Sequence, residues 1–192
     1  MIHVDRQPEP SDFGSKVRQP GRAWLAANPD AEPAEWPPHW RKCLGDLLDR
    51  YGRVCAYLCI RIPHGVGASS VDHLAPKSKH KDQAYEWGNY RLVCLRMNSR
   101  KSAFEDVLDP FEIDDGWFVL DLTALQVMPA SHLPSELREQ VQATIDRLRL
   151  NDKECRDARA MYYDEYVAGH CNRDFLRRWS PFVAMELDRQ GL

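Results

Sequence analysis

The sequence predicts an α+β protein, mostly helical, with a small central unit of strands and a proline-rich N-terminal arm. Three observations carry this. Seven of the thirteen prolines fall within the first 38 of 192 residues, so long helices and central strands are not expected there. Short runs rich in β-branched and aromatic residues follow, at 53–62 and 69–74. The last third then carries apolar stripes at helical spacing. Hydrophobic residues at 43% and charged residues at 29% are an ordinary globular mix for one domain. The expected division is an extended arm over 1–38, a core over 39–110, and a strand plus helical extension over 111–192 in the same globule.

Each element has its own signal. Trp24, Leu25 and Trp36 are apolar anchors, so the arm is expected to dock rather than hang free. Trp40, Cys43 or Leu44, Leu47 and Leu48 recur at three- and four-residue spacing over 39–51, with Gly52 as a stop. Residues 53–62 read as a strand, Pro63, Gly65 and Gly67 as a loop, and 69–74 as a second strand pairing with the first in a hairpin. After a lysine-rich loop, Asn98 is expected to open a short helix ending near Leu108. Residues 116–122 read as another strand. Leu137, Val141, Ile145 and Leu148 share one helical face after Pro134 and Ser135. Asn151 with Glu154 has the spacing of a capping box for a helix striped by Cys155, Ala158, Tyr162 and Tyr166, which Gly169 ends. Phe175, Leu176 and Trp179 mark another helical segment, and Ser180-Pro181 restarts the chain.

Composition excludes several classes. No run approaches the ~20 apolar residues of a membrane span, and the first residues lack an apolar signal core, so a cytoplasmic protein with no membrane partner is expected. Six cysteines are too sparse for a disulfide scaffold and read as thiols or metal ligands. A net charge of −3 argues against coating nucleic acid by bulk charge. The distribution is uneven, however. Between Asp72 and Ser102 seven basic residues face three acidic ones, a local +4 inside a remainder of −7.

That window holds the chemistry. Asp72 and His73 end a strand, where a bend before Pro76 lets neighbouring side chains converge despite strand alternation. A hard cation such as Mg²⁺ takes a few oxygen ligands and keeps its waters. The Asp72 carboxylate and the Asn98 amide oxygen would suit it. A neutral His73 could take a proton from water. Lys101, one turn along the helix of Asn98, is placed to hold a phosphate, and Lys77, Arg96 and Arg100 extend the basic face.

In this order, Asp72-His73, Pro76, Asn89, Asn98 and Lys101, the chain resembles the HNH nucleases, the ββα-metal superfamily. The resemblance implies a ββα-metal core in which His73 is the general base. It implies that Asp72 and Asn98 hold one Mg²⁺ or Mn²⁺, and that Asn89 serves catalysis by orienting the base or holding the loop. The implied reaction is hydrolysis of DNA phosphodiester bonds to 5′-phosphate and 3′-hydroxyl ends; nothing in the residues excludes RNA. A narrower likeness runs from Cys55 to Arg159, through Cys55-Ala56-Tyr57, Pro76-Lys77-Ser78, Tyr85-Glu86-Trp87 and 144–151, with a short echo at Met1-Ile2-His3. There the chain is similar to the HNH subunit of Septu-type anti-phage systems, also found beside some retrons. That similarity implies an effector nuclease with an ABC/SMC-like ATPase partner, docked through the N-terminal arm.

The chain departs from the family at its cysteines. Many HNH proteins frame the motif with two Cys-x-x-Cys pairs on structural zinc. Here Leu58 and Met97 stand where cysteines are expected, leaving Cys55, Cys59 and Cys94, three thiolates where a tetrahedral site wants four ligands. Structural zinc is therefore not expected, and apolar packing must hold the core. A rival reading, from another class, is a non-catalytic HNH-derived module for assembly. A zinc-binding transcription module built on the cysteines with His64, His170 and Cys171 matches no finger spacing.

Overall fold

The run at 90–94 shows no apolar–polar alternation because it is buried on both faces, the cation Arg91 included. The computed structural model describes residues 1–65 and 68–192. In it, strand β1 (Ser69–His73) lies antiparallel to β2 (Tyr90–Cys94), with Val71 opposite Leu92 and His73 opposite Tyr90. Helix α3 (Leu95–Lys101) follows β2 without a loop and packs on both strands. Asn98 thus lies mid-helix, three residues past its start, and Ser102 turns the chain away at φ 48° instead of letting the helix run on to Leu108.

The hairpin expected between 53–62 and 69–74 is not formed. Residues 53–62 fold back on themselves with one bridge, Val54 to Arg61. Arg53 and Cys59 have φ of 62° and 56°, a left-handed conformation that breaks a pleated strand. The Cys55 N–H donates to Ile60 O at 3.0 Å and the Cys59 N–H to Cys55 O at 2.8 Å. The run is apolar because Cys55, Ala56, Tyr57, Cys59 and Ile60 are all buried in this turn. The Ala56 N–H fastens it to Leu92 O of β2 at 2.9 Å. Gly67, expected in the next loop, lies outside the described residues.

The arm is not extended throughout. A π-helical turn (Gly14–Arg18) leads into α1 (Gln19–Ala27). The Gln19 N–H reaches back to Gly14 O, and Pro20 sits in the first turn of α1, where a missing N–H costs least. Gly21 lies flat on the Tyr85 ring. Residues 28–38 then cross the molecule, anchored by the buried Trp36, whose indole N–H donates to Ala31 O at 3.0 Å. A 3₁₀ turn (His39–Cys43) and α2 (Leu44–Arg50) match the helix expected over 39–51.

In the C-terminal part, β3 (Phe118–Asp121) pairs with β4 (Gln126–Pro129), a strand with no strong pattern of its own. Helices α4 (Ser135–Leu148), α5 (Lys153–Val167), α6 (Arg173–Trp179) and α7 (Pro181–Gln190) follow. The side chain that caps α5 is Asp152, accepting the Cys155 N–H at 2.9 Å, not Asn151. Asn151 instead exchanges two hydrogen bonds with the backbone of Val127 in β4. The protein is α+β, and one apolar cluster runs from Met1 and Phe13 through β2 to Leu187. No helix among the described residues is long and apolar enough to cross a membrane.

A Cβ added at Gly21 would sit 2.3 Å from Tyr85 Cγ. Gly21→Ala should therefore lower stability by about 1–3 kcal/mol, the cost of overpacking, as a lower midpoint in urea denaturation.

Candidate active site

Where β1 ends against α3, Asp72, His73 and Asn98 line one cleft of about 290 Å³ with Trp40, Lys77 and Pro33. The strand end brings Asp72 and His73 there, and α3 brings Asn98 across from them. Asp72 is 1% exposed. Its Oδ2 accepts from Tyr57 Oη at 2.7 Å, and Lys101 Nζ stands 3.5 Å from Oδ1. Burial pushes the Asp72 carboxyl above its ordinary range, against the opposing pull of Lys101 and the Tyr57 hydroxyl. Asn98 Nδ2 donates to Ser70 Oγ at 2.7 Å and, more weakly, to Val71 O at 3.4 Å. The amide oxygen is then the end left over for the cleft.

His73 packs edge-on against Trp40 and Tyr90, with ring centroids 5.0 and 5.1 Å away. Its Nε2 lies 2.9 Å from Ala84 O. A carbonyl only accepts, so in the neutral ring Nε2 carries the proton and Nδ1 keeps its lone pair. Burial pushes the His73 pKa down to about 4, with Lys77 and Lys101 pushing the same way and the Ala84 carbonyl opposing. The imidazole is therefore neutral at pH 7 and can accept a proton.

Asn89 does not touch the cleft chemistry. Its Oδ1 accepts the Ala75 N–H at 2.7 Å, and its Nδ2 donates to Ala75 O and Gln83 O, both at 3.0 Å. With its amide so committed, it closes the loop over 75–84 and sets Ala84, which orients His73. It is a positioning residue.

Two expected phosphate contacts are corrected. Lys101 is fully buried, and its Nζ donates to His73 O at 2.6 Å besides pairing with Asp72. An ammonium so enclosed holds the site together and does not meet a phosphate at the surface. Arg100 turns away from the cleft, to Asp152 and to Leu148 O and Arg149 O at 3.0 and 3.1 Å. Lys77 does face the cleft, but its ammonium is bonded to Pro33 O and lies 5.0 Å from the centre of the Trp40 ring. Arg96 is half-exposed on α3, 3.8 Å from Glu154.

The sequence reading missed Tyr57 and Trp40 as members of the site. Both sit in apolar patterns that announce core and nothing more. The one available signal was that Tyr57 carries a hydroxyl in an otherwise apolar buried run.

Of the three cysteines left at the family's zinc positions, Cys55 and Cys94 meet, with sulfurs 3.8 Å apart. Cys59 turns elsewhere, its sulfur against the carbonyls of Ala56 and Tyr57.

No family model matches the chain, and no curated protein matches it at a significant level. The site's chemistry must be argued from its own residues.

Two consequences are measurable. Lys101→Met leaves the Asp72 carboxylate buried beside an apolar chain, and stability should fall by about 3–5 kcal/mol in urea denaturation. The second concerns pH. The unfolded chain binds a proton at His73 from pH 6.5 downward, whereas the folded chain resists it until about pH 4. The contribution of neutral His73 is thus complete above pH 6.5 and lost as pH falls through that window, by up to ~3 kcal/mol. Denaturation at pH 7 and pH 4.5 should show a smaller loss in His73→Gln than in the wild type.

Proposed function

We propose that this protein is a metal-dependent endonuclease that hydrolyses DNA phosphodiester bonds, built on a ββα-metal core of β1, β2 and α3. The observation that carries the reading is the neutral His73 in one cleft with the Asp72 carboxylate and the Asn98 amide. Its Nε2 is tied to Ala84 O, so Nδ1 is the basic atom. A base, a carboxylate and an amide oxygen from adjacent elements are what water-driven phosphoryl chemistry requires.

The donor chemistry also fits a hard divalent cation. Asp72 and Asn98 would hold Mg²⁺ or Mn²⁺ through oxygen, which would supply neutralisation of charge on the phosphate and the departing oxygen. The chain's residues supply the rest. His73 Nδ1 takes a proton from water as the water oxygen bonds to phosphorus and the bond to the 3′ oxygen breaks. The imidazolium so formed is stabilised by its Nε2–H bond to Ala84 O. Tyr57 and Lys101 favour the ionised form of Asp72 against the burial that raises its pKa. Asn89 and Trp40 hold the ring in place. Lys77 at the mouth, with Lys79, Lys81 and Arg22 around an adjacent hollow, supplies cations that a phosphate backbone could meet. Such contacts position a strand without reading its bases. The role of effector in an anti-phage complex, with an ATPase partner on the arm, rests on the resemblance of residues 55–159 alone.

One observation favours the second reading, a non-catalytic assembly module. Both oxygens of Asp72 already have partners, as they would in a purely structural acid.

The deciding experiment is cleavage of supercoiled plasmid by the purified chain with Mg²⁺ or Mn²⁺. Cutting should stop in EDTA and fall at least ~100-fold in His73→Ala, the typical weight of a general base. Asn98→Ala should need more metal for the same rate. Cutting unchanged in His73→Ala overturns the assigned base. A biological effect and partner assembly unchanged in that variant favour the second reading.

A further inference from the structure

The family's structural zinc does not fit the residues that stand in its place. Two thiols come together there, Leu58 and Met97 occupy the other expected positions, and Cys59 faces away. Among the described residues, no three His, Cys, Asp or Glu side chains are grouped to hold a metal. What remains is a dithiol.

We propose that Cys55 and Cys94 form a reversible oxidation site that closes to an intramolecular disulfide. Their sulfurs are 3.8 Å apart across the junction of the 53–62 turn and the β2–α3 boundary, so side-chain rotation can bring them to bonding distance. The Cys94 N–H also donates to Cys55 Sγ at 3.3 Å, which keeps the two residues in register. The Ala56 N–H bond to Leu92 O fixes the backbones on either side.

The two sulfurs are unlike, and the difference gives each a role. Cys94 caps α3 and is partly exposed; Cys55 is buried. The Cys55 S–H points at Cys94 and lowers its pKa to about 6, and the backbone N–H groups of Met97 and Arg96 in the first turn of α3 add to this. The other five thiols are pushed up, each chiefly by burial. Cys94 is therefore the attacking thiolate and Cys55 the resolving thiol.

With hydrogen peroxide as oxidant, the Cys94 thiolate attacks one peroxide oxygen. A sulfur–oxygen bond forms, the O–O bond breaks and hydroxide leaves, giving a sulfenic acid. Cys55 sulfur then attacks Cys94 sulfur. The disulfide forms, the sulfur–oxygen bond breaks, and water leaves with the Cys55 proton. The dithiol has lost two electrons and the peroxide has gained them. A thiol reductant reverses the step by exchange. This site is independent of the nuclease reading and holds whether or not the cleft is catalytic.

The test uses the full chain, reduced and freed of metal, then titrated with hydrogen peroxide, alkylated and mapped by mass spectrometry. At one equivalent the chain should lose the mass of two hydrogen atoms, with the peptides of Cys55 and Cys94 joined and dithiothreitol separating them. Before oxidation, Cys94 should react with iodoacetamide at pH 7 about tenfold faster than any other thiol. Cys94→Ser should abolish the joined peptide, and Cys55→Ala should let Cys94 proceed to sulfinic acid. The oxidised chain should melt several degrees higher, since the cross-link restricts the unfolded state. Sulfinic acid on Cys94 of the wild type, a bridge to another cysteine, or both thiols still open to alkylation after peroxide would overturn the proposal. So would one equivalent of zinc held tightly by the reduced pair. The wild-type map decides the matter even where a variant fails to fold.

Discussion

A lysine ammonium with no exposure to water closes the end of β1 onto the end of α3. Lys101 reaches two groups at once, the His73 carbonyl and the Asp72 carboxylate, and Tyr57 completes the carboxylate from the 53–62 turn. Taking an ammonium and a carboxylate out of water costs several kcal/mol per ion, so the arrangement persists only while the surroundings satisfy every donor and acceptor. Burial drives both groups toward neutrality, raising the Asp72 pKa and lowering that of Lys101, and each charge opposes the shift of the other. The surrounding packing follows from this requirement. The turn must place Tyr57, and the strand must end at His73. The site and the core are therefore one structure, and the acid facing the cleft is held by the same contacts that hold the fold.

The basic window shows how far charge in a sequence differs from charge on a surface. Of its seven cations, Arg91 is buried in a two-pronged pair with Asp109, at 2.7 and 2.6 Å, with Phe111 beneath it. Lys101 and Arg100 are also spent on the fold. Lys77 and Lys81 donate to the carbonyls of Pro33 and Pro29, and Lys79 pairs with Glu105. The proline-rich segment thus occupies the ammonium groups nearest the cleft. A carbonyl and an indole face bind an ammonium more weakly than a phosphate does, so these contacts can hold the arm down and still yield to a stronger anion. The same lysines serve docking and substrate attraction only if one excludes the other.

Much of the site was legible and much of its frame was not. Asp72, His73 and Asn98 could be grouped because a carboxylate, an imidazole and an amide, at a strand end and on a helix nearby in sequence, suit a cation and a base and follow the order of the HNH motif. Their meeting in one cleft matches that grouping. Lys101 shows the limit, since a lysine's position along a helix does not reveal whether its ammonium points outward. The strand over 53–62 was misread because a run buried on every side looks like a central strand, and the left-handed turns at Arg53 and Cys59 fall on residues that do not advertise them. Helix α1 was hidden by Pro20, which is compatible with a first turn but argues against a helix when prolines are merely counted. Asn151 and Asp152 are both good caps, and which of them caps α5 depended on β4, a strand too short to foresee.

The weak basicity of His73 bears on when such a site can act. At a pKa near 4 an imidazole takes a proton from water poorly, because proton transfer is most effective when base strength approaches the working pH. The low value has three sources, and only burial is built into the walls. The other two are the positive fields of Lys77 and Lys101. On the proposed nuclease reading, a phosphodiester entering beside Lys77 would bring negative charge close to the ring, offset those fields and favour the imidazolium. The base would then gain strength as substrate arrives. In its absence the neutral ring, packed against Trp40 and Tyr90, serves the core, and one histidine can be both a stable apolar wall and a proton acceptor.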